Sequence, residues 1–223
     1  MQINKLVLLL FMFLASCSIN KTVVSNPNSI TDSSRESKVI PDDTTFVNLK
    51  EYNTDFVYDM KYATNDNFLK EKVYDCAECF LRYKTAKALI SANKYFIKKG
   101  YKIKIYDCYR PIDIQKKMWK IVPNPEYVAD PKKGSIHNRG GAVDISLVDK
   151  NGVEVDMGTK FDHFGIEAGH GFSGLKQEII ENRKLLKKIM LKNNFLPFDS
   201  EWWHYNLKNA KKDKTSNQKW HCN

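Results

Sequence analysis

Apolar residues recur at helical spacing in three stretches of the chain. Spacings of three and four residues place such side chains on one face of an α-helix, which can then pack on a core. Residues 85–99 predict the first helix, which ends at Gly100. Its core face is formed by Ala88, Leu89, Ala92, Tyr95 and Phe96. A second helix is predicted over residues 112–120, with Pro111 at its start, and a third over residues 181–193.

Strand patterns lie between these helices. Residues 101–107 (YKIKIYD) alternate between apolar and polar positions, and residues 141–148 (GAVDISLV) form a second, more apolar strand. The aromatic-rich residues 195–207 predict one or two further short strands. Because helices and strands do not alternate regularly, the pattern favours an α+β fold in a single domain, with an antiparallel central sheet flanked by helices.

The amino-terminal residues have the organisation of an export signal. Lys5 precedes the apolar residues 6–15, which as a helix would span only about 15 Å, half of a hydrocarbon core. This stretch ends in Leu-Ala-Ser-Cys17, which resembles the lipobox of bacterial lipoproteins. The resemblance implies that residues 1–16 are removed as a signal peptide and that Cys17 is lipidated. An ordinary secretory signal is the alternative.

Lipidation of Cys17 would attach the mature protein to the periplasmic side of a bacterial membrane, and Ser18 is compatible with sorting to the outer membrane. Residues 18–43 contain six Ser, two Pro and no aromatic residue, so they cannot bury enough apolar surface to fold. We therefore expect residues 17–43 to form a lipidated, flexible tether and residues 44–223 to form the folded domain.

The composition excludes several classes of protein. Of the 223 residues, 42% are hydrophobic and 28% are charged, which is an ordinary balance for a globular protein. The 36 Lys and Arg outnumber the 26 Asp and Glu and give a net charge of +10. The lysines are nevertheless scattered among carboxylates, and no groove-reading motif is present. We expect no nucleic-acid partner, and the sequence leaves the oligomeric state open.

The cysteines that follow Cys17 fit an exported protein. They are Cys76, Cys79, Cys108 and Cys222. In an oxidising compartment they predict up to two disulfides, and all three pairings stay open. The C-x-x-C spacing of the first two also occurs in zinc knuckles, but a second closely spaced ligand pair is missing, so disulfides are favoured.

Two His and one Asp form a candidate metal site. His137 lies in a Gly-rich turn that leads into the strand bearing Asp144, and His204 follows Glu201 by three residues. Two neutral imidazoles and one carboxylate are a ligand set for zinc, which acidifies a water molecule in its open position. The unliganded Glu201 would accept the proton of that water. The same residue types also occur in the facial triad of iron oxygenases.

The spacing of these residues imposes conditions on the backbone. His137 and Asp144 are seven positions apart and would point to opposite faces of one straight strand, so the glycines at 140 and 141 must turn the chain between them. Glu201 and His204, three positions apart, need a bulge, a bend or a helical turn at residues 202–203. The two Trp at those positions would form a dry wall beside the site.

Six sequence blocks follow one another along the chain. They are Tyr62–Phe68, Asp107–Pro111, the Ser135-x-His137 pattern that continues to Asp144, Met157–Asp162, Asn182–Leu186 and Glu201–His204. Together they resemble the D-alanyl-D-alanine dipeptidases, a family of zinc peptidases, over roughly residues 46–207. The frame of His, Asp and Glu-x-x-His alone is shared with D,D-carboxypeptidases and related peptidoglycan endopeptidases.

The resemblance implies a role for each matching residue. One zinc ion per chain would lie in a cleft, held by His137, Asp144 and His204. The catalytic groups would be Glu201, as general base and then general acid, and Arg110, as the donor that stabilises the oxyanion. The ammonium group of a free dipeptide would be bound by Ser135 and Asp162.

The implied activity is zinc-dependent hydrolysis of D-Ala-D-Ala, or of a similar short D-amino-acid dipeptide, outside the cytoplasm. The alternative is a D,D- or L,D-carboxypeptidase that acts on peptidoglycan stems, although a blocked amino end would leave the acid of Asp162 unpaired. We expect Asp107 to orient Arg110 or to cap the following turn. Cys108 departs from the family pattern, where a small residue commonly precedes Tyr-Arg-Pro, and a disulfide there would pin the loop of Arg110.

Overall fold

A five-stranded sheet runs through the computed structural model, which describes residues 40–220 and 222. The predicted signal peptide, Cys17 and residues 18–39 of the predicted tether lie outside the described residues. The strands are β1 (Phe46–Asn48), β2 (Val57–Tyr58), β3 (Phe80–Arg82), β4 (Tyr101–Asp107), β5 (Ala142–Asp149), β6 (Phe195–Phe198) and β7 (Glu201–Leu207). Within the described ranges, no helix combines the length and the apolar character needed to cross a membrane.

The large sheet has the order β2-β4-β5-β7-β6, and β1 and β3 form a separate antiparallel ribbon. The pairs β4–β5, β5–β7 and β6–β7 are antiparallel, whereas β2 runs parallel to β4. The expectation of a purely antiparallel sheet is therefore wrong at this edge. A parallel pair requires a crossover connection, and here the chain between β2 and β4 includes a helix. With only two residues, β2 was too short to show a strand pattern in the sequence.

Three helices surround the sheet, which confirms the mixed α and β architecture. They are α1 (Tyr83–Ile97), α2 (Ile112–Ile121) and α3 (Gln177–Lys192), each within four residues of its predicted bounds. In α1 the buried face contains Leu89 and Phe96, but Tyr95 is 37% exposed and lies beside Lys192, whose Nζ is 4.5 Å from the ring centroid. Tyr95 therefore belongs to the edge of the helix face and not to the core.

Two clusters of buried side chains hold the fold together. The larger one joins Leu89 of α1 and Leu186 of α3 to Ile103 and Ile145 of the sheet. The smaller one packs Met118 of α2 against residues of the long connection before β3 and against Val128; the buried members from that connection are Tyr62, Leu69, Val73 and Tyr74. Because apolar burial contributes about 25 cal/mol per Å², this second cluster anchors a connection that has little regular structure of its own.

Two disulfides connect the four described cysteines. Cys76 is bonded to Cys222, and Cys79 is bonded to Cys108. This is one of the three pairings that the sequence left open, and it confirms disulfides over a zinc knuckle. The second bond joins the residue before β3 to the residue after β4, which are 29 positions apart.

The chain turns sharply between His137 and Asp144, as the spacing required. Residues His137–Arg139 form one turn of 3-10 helix, and Gly140 then adopts the left-handed conformation with φ of +66°. A Cβ atom on Gly140 would overlap the ring of Phe46 and would lie 3.1 Å from the backbone nitrogen of Arg82. Only glycine therefore meets both the conformational and the steric demands of this turn.

Replacing Gly140 by Ala should lower the free energy of unfolding by about 2–5 kcal/mol, because left-handed strain and overpacking add. The matched control is Gly100→Ala, where φ is +84° but nothing lies within 4 Å of the added Cβ. This control should cost only the strain, about 1–2 kcal/mol. Urea unfolding of the oxidised protein, followed by circular dichroism, measures both values. Equal losses in the two variants would contradict the steric part of the argument.

Candidate active site

His137, Asp144 and His204 converge on one point, where the first residues of β5 lie beside the middle of β7. Asp144 pairs directly with His204 in the register of the two strands, and His137 approaches from the 3-10 turn. The Asp144 carboxylate lies 2.9 Å from His204 Nδ1 and 3.4 Å from His137 Nε2, and the two ring nitrogens are 3.2 Å apart. One donor atom from each residue thus lies within 4.8 Å of the other two, within reach of a single cation.

A bulge in β7 brings Glu201 to the same point. Pro197 of β6 pairs with Tyr205 of β7, but the next residue of β6, Phe198, pairs with Glu201. In a regular ladder the two partners in β7 would be adjacent, whereas here three residues lie between them. This irregularity is the departure from a flat strand that the three-residue spacing required. Glu201 Oε2 consequently lies 4.0 Å from His204 Nδ1, beside the three donors but not among them.

Hydrogen bonds fix the ring orientation of both histidines. His137 Nδ1–H donates to the backbone carbonyl of Cys108 at 2.6 Å, which leaves the lone pair of Nε2 directed at the cluster. His204 Nε2–H donates to the side-chain oxygen of Asn206 at 2.9 Å, which leaves Nδ1 free in the same way. Such outer hydrogen bonds select the tautomer that ligates a metal. The arrangement fits a divalent cation such as zinc.

The charges of the cluster are consistent with this fit. Burial alone would raise the pKa of Asp144, but its hydrogen bonds and attraction to His137 and His204 outweigh burial and hold the pKa below its usual range. Burial raises the pKa of Glu201, and the negative charge of Asp144 adds to that effect. Asp144 therefore remains an anionic donor, whereas Glu201 has the affinity for a proton that a general base needs.

Arg110 is held beside the cluster by Asp107. Its Nη2 donates to Asp107 Oδ2 at 2.7 Å and its Nη1 donates to Gln115 at 3.0 Å. The other oxygen of Asp107 accepts from the backbone N–H of Cys108 at 2.9 Å, so Asp107 both orients the guanidinium and caps the turn. Arg110 is only 7% exposed, and among the described residues its Nε has no hydrogen-bond partner. An unpaired buried donor in a cavity indicates an anionic or carbonyl ligand.

Asp162 lies across the cavity in a left-handed conformation with φ of +60°. Its two oxygens accept from the hydroxyl of Tyr62 at 3.0 and 3.2 Å. Burial and the charge of Asp144 raise the pKa of Asp162 well above its usual range, and the Tyr62 hydrogen bond opposes this shift. Ser135 accepts a hydrogen bond from the backbone N–H of His137 at 3.2 Å and so also caps the 3-10 turn.

All seven site residues that the sequence predicts within the described ranges line one cavity of about 390 Å³. They are Arg110, Ser135, His137, Asp144, Asp162, Glu201 and His204. Sequence reasoning did not assign a site role to Tyr62 or Asn206. A signal existed for Tyr62, which opens the first of the six blocks, whereas Asn206 could be found only from the strand register.

The two tryptophans do not both face the cavity. Trp203 lines it, with its ring centroid 5.5 Å from that of Phe161. Trp202 points away and donates its indole N–H to Thr159 at 2.8 Å. The expectation of a wall built from both rings is therefore wrong, because neighbouring residues of a strand point to opposite faces.

A comparison with protein families identifies the chain. The family model described as D-ala-D-ala dipeptidase matches residues 42–222. The chain belongs to this family. Its members are metallopeptidases, and this chain is one of them. The resemblance seen in the six blocks is thereby confirmed, and the match is longer than residues 46–207.

Individual relatives agree with the family match. The D-alanyl-D-alanine dipeptidase of Escherichia coli strain K12 is 36% identical over 170 residues, which covers 76% of this chain and 88% of the relative. The enzyme of the same name from Enterococcus faecium is 30% identical over 175 residues, covering 68% and 85% of the two chains. A solved structure of the LdcB LD-carboxypeptidase aligns over 60% of this chain and 62% of its own at 22% identity, with a TM-score of 0.40.

Proposed function

We propose that this metallopeptidase uses zinc to hydrolyse D-Ala-D-Ala, or a similar short D-amino-acid dipeptide, outside the cytoplasm. The observation that carries the proposal is that one cavity contains a metal-ligand set, a proton acceptor, an unpaired arginine donor and a buried acid. The curated relatives that bear the name D-alanyl-D-alanine dipeptidase support the choice of substrate, since they align over 85–88% of their own length.

His137, Asp144 and His204 would hold the single zinc ion. When bound, zinc polarises the scissile carbonyl and acidifies a water molecule. Asp144 supplies the one negative charge of the ligand set, and its own burial prevents solvent from screening that charge.

Glu201 moves the proton during the reaction. Its carboxylate lies next to the ligand cluster without joining it, so it accepts the proton of the attacking water. It then donates this proton to the nitrogen of the leaving amino acid. The raised pKa of Glu201 suits both steps, because a stronger base accepts the proton more readily and the resulting acid persists until the amine departs.

Arg110 stabilises the negative charge that develops on the carbonyl oxygen. Its guanidinium is already held by Asp107 and Gln115, so little reorganisation is needed when the charge appears. Arg110 lines the cavity, and the guanidinium N–H groups that Asp107 and Gln115 do not occupy remain as donors for the substrate.

Asp162 and Ser135 would bind the amino end of the substrate, with Tyr62 holding Asp162; all three line the cavity. Desolvation and the charge of Asp144 raise the pKa of the Asp162 carboxyl, so a bound ammonium would stabilise its anionic form, whereas an acylated nitrogen offers no positive charge. This contact favours a free dipeptide over the stem peptides that a D,D- or L,D-carboxypeptidase would use.

We also propose that the protein acts as a lipoprotein, anchored through Cys17 on the periplasmic side of a bacterial membrane. Two formed disulfides support an oxidising compartment. At this location the enzyme could not destroy dipeptide made in the cytoplasm. Turnover of wall fragments or recovery of D-alanine therefore fits this location better than a resistance role, which would require destroying the cytoplasmic dipeptide.

Activity on D-Ala-D-Ala is the first test. The purified chain without residues 1–17 should release D-alanine, removal of zinc by a chelator should abolish the release, and added Zn²⁺ should restore it. Glu201→Gln should lower kcat by about 10²–10⁴-fold because the general base is lost, and it should leave zinc bound. The control Glu178→Gln changes an exposed residue of α3 and should have no effect. An active enzyme free of metal would contradict the mechanism.

The role of Asp162 is tested with a blocked substrate. The native enzyme should hydrolyse D-Ala-D-Ala far better than N-acetyl-D-Ala-D-Ala. Asp162→Asn should lower kcat/KM for the free dipeptide by at least about 30-fold, since it removes the partner of a buried charge. Tyr62→Phe, which keeps the acid, should cost less. If the native enzyme hydrolysed both substrates equally well, the carboxypeptidase alternative would be favoured.

The anchor is tested in cells. The native chain should take up a labelled fatty acid and sediment with membranes, and Cys17→Ala should lose the label and the membrane attachment because no thiol remains for acylation. Ser18→Ala, one residue away, should keep both. Absence of label from the native chain would leave the ordinary secretory signal as the explanation of residues 1–16.

A further inference from the structure

The backbone of Cys108 is hydrogen-bonded both to the candidate metal ligand His137 and to Asp107, which holds Arg110. Its carbonyl oxygen accepts the hydrogen bond from His137 Nδ1 at 2.6 Å. Its N–H donates at 2.9 Å to Asp107, whose other oxygen holds Arg110 at 2.7 Å. A displacement of this one peptide segment would therefore disturb a candidate metal ligand and the candidate oxyanion donor at the same time.

Regular structure alone does not hold this segment in place. Strand β4 ends at Asp107, and its register with β5 already shifts between Ile105 and Asp107. Beyond that point the backbone of Tyr109 donates to Phe80 at 3.0 Å and that of Arg110 donates to His137 at 3.1 Å. These are isolated hydrogen bonds to β3 and to the 3-10 turn, each worth only about 1 kcal/mol net.

The disulfide to Cys79 supplies the covalent hold. Both half-cystines are fully buried, with 0% exposure, and their Cα atoms are 5.4 Å apart. The Cys79 end is itself fixed, because its carbonyl accepts from the backbone N–H of Leu49 at 2.9 Å and β3 follows directly. The bridge thus ties the end of β4 to the small ribbon of β1 and β3.

We propose that the Cys79–Cys108 disulfide is a positioning element of the reaction. It fixes the position of the His137 ring relative to the Asp107–Arg110 pair. The proposal rests on the proposed function, since the roles of His137 and Arg110 are taken from it. The second disulfide, Cys76–Cys222, offers a natural contrast, because among the described residues neither of its cysteines is hydrogen-bonded to a residue of the site, whereas Cys108 is bonded to His137 and Asp107.

The test compares two bridge variants, Cys79→Ala/Cys108→Ala and Cys76→Ala/Cys222→Ala. Zn²⁺ affinity is measured by competition with a chromophoric chelator, and kcat and KM are measured on D-Ala-D-Ala. Loss of the first bridge should weaken Zn²⁺ binding by about 10–100-fold, as loss of outer support for a ligand does. It should also lower kcat by about 10-fold or more as Arg110 is displaced. KM should change less than kcat, because Asp162 is connected to the bridge only indirectly, through Tyr62, whose ring lies 5.2 Å from the guanidinium of Arg110.

Controls separate positioning from stability. The Cys76–Cys222 bond closes a larger loop, of 146 positions. Its loss should lower the melting temperature while zinc affinity and kcat stay unchanged. Leu89→Ala, a cavity in the core of α1, should behave in the same way. The pair Cys79→Ser/Cys108→Ser is the second test variant, and all variants are compared at equal folded fraction as measured by circular dichroism.

Several results would overturn the proposal. Unchanged zinc affinity and kcat without the Cys79–Cys108 bridge would do so, as would equal kinetic losses in both bridge variants. Failure of both the Ala and the Ser pair to fold would assign the bridge to stability alone. Failure of the proposed function is seen separately, as a native enzyme that binds Zn²⁺ but releases no D-alanine, and the zinc-affinity measurement still decides the role of the bridge in that case.

Discussion

The pairing of Asp144 with His204 across two adjacent strands is the contact on which the candidate active site depends. A shift of one residue between β5 and β7 would turn one of the two side chains to the other face of the sheet. The strand register alone cannot bring in the remaining groups. The left-handed Gly140 returns His137 to Asp144, and the bulge in β7 returns Glu201 to His204. The site is thus one regular strand pair, completed by two local irregularities that place donors where a regular sheet could not.

The contacts that each carboxylate makes determine its charge and its pKa. Asp107 forms an ion pair with Arg110, Asp144 lies against two imidazoles, and Asp162 accepts from the hydroxyl of Tyr62. The pKa values of Asp144 and Asp162 consequently shift in opposite directions, although both side chains line the same cavity. Asp107 behind Arg110, and Asp144 and Asp162 in the cavity, can therefore serve as support, ligand and substrate contact, because environment and not residue type decides the role.

The sequence predicted the site better than it predicted the fold around it. Spacing showed that the chain must turn at the glycines and depart from a flat strand at residues 202–203, since period-two alternation leaves no other way to join the donors. Helix ends shifted by a few residues, because fraying and capping depend on tertiary contacts. The two-residue β2 is too short to give a periodic signal in the sequence. The choice among disulfide pairings and the role of Asn206 depend on which residues the folded strands bring together, and the sequence does not show this. Such features depend on contacts between residues far apart in the chain.

Selectivity for a free amino end follows from burial and does not require a narrow opening. A cavity of about 390 Å³ has room for more than a small dipeptide, so volume alone would admit longer peptides. A peptide with an acylated amino end offers no cation to the carboxyl of Asp162, whose pKa is already raised, so it would lose the ion pair that a free ammonium forms there. Charge at one end of the cavity therefore limits the substrate from its amino end, while the metal ligands and Arg110 fix the position of the bond that is cut.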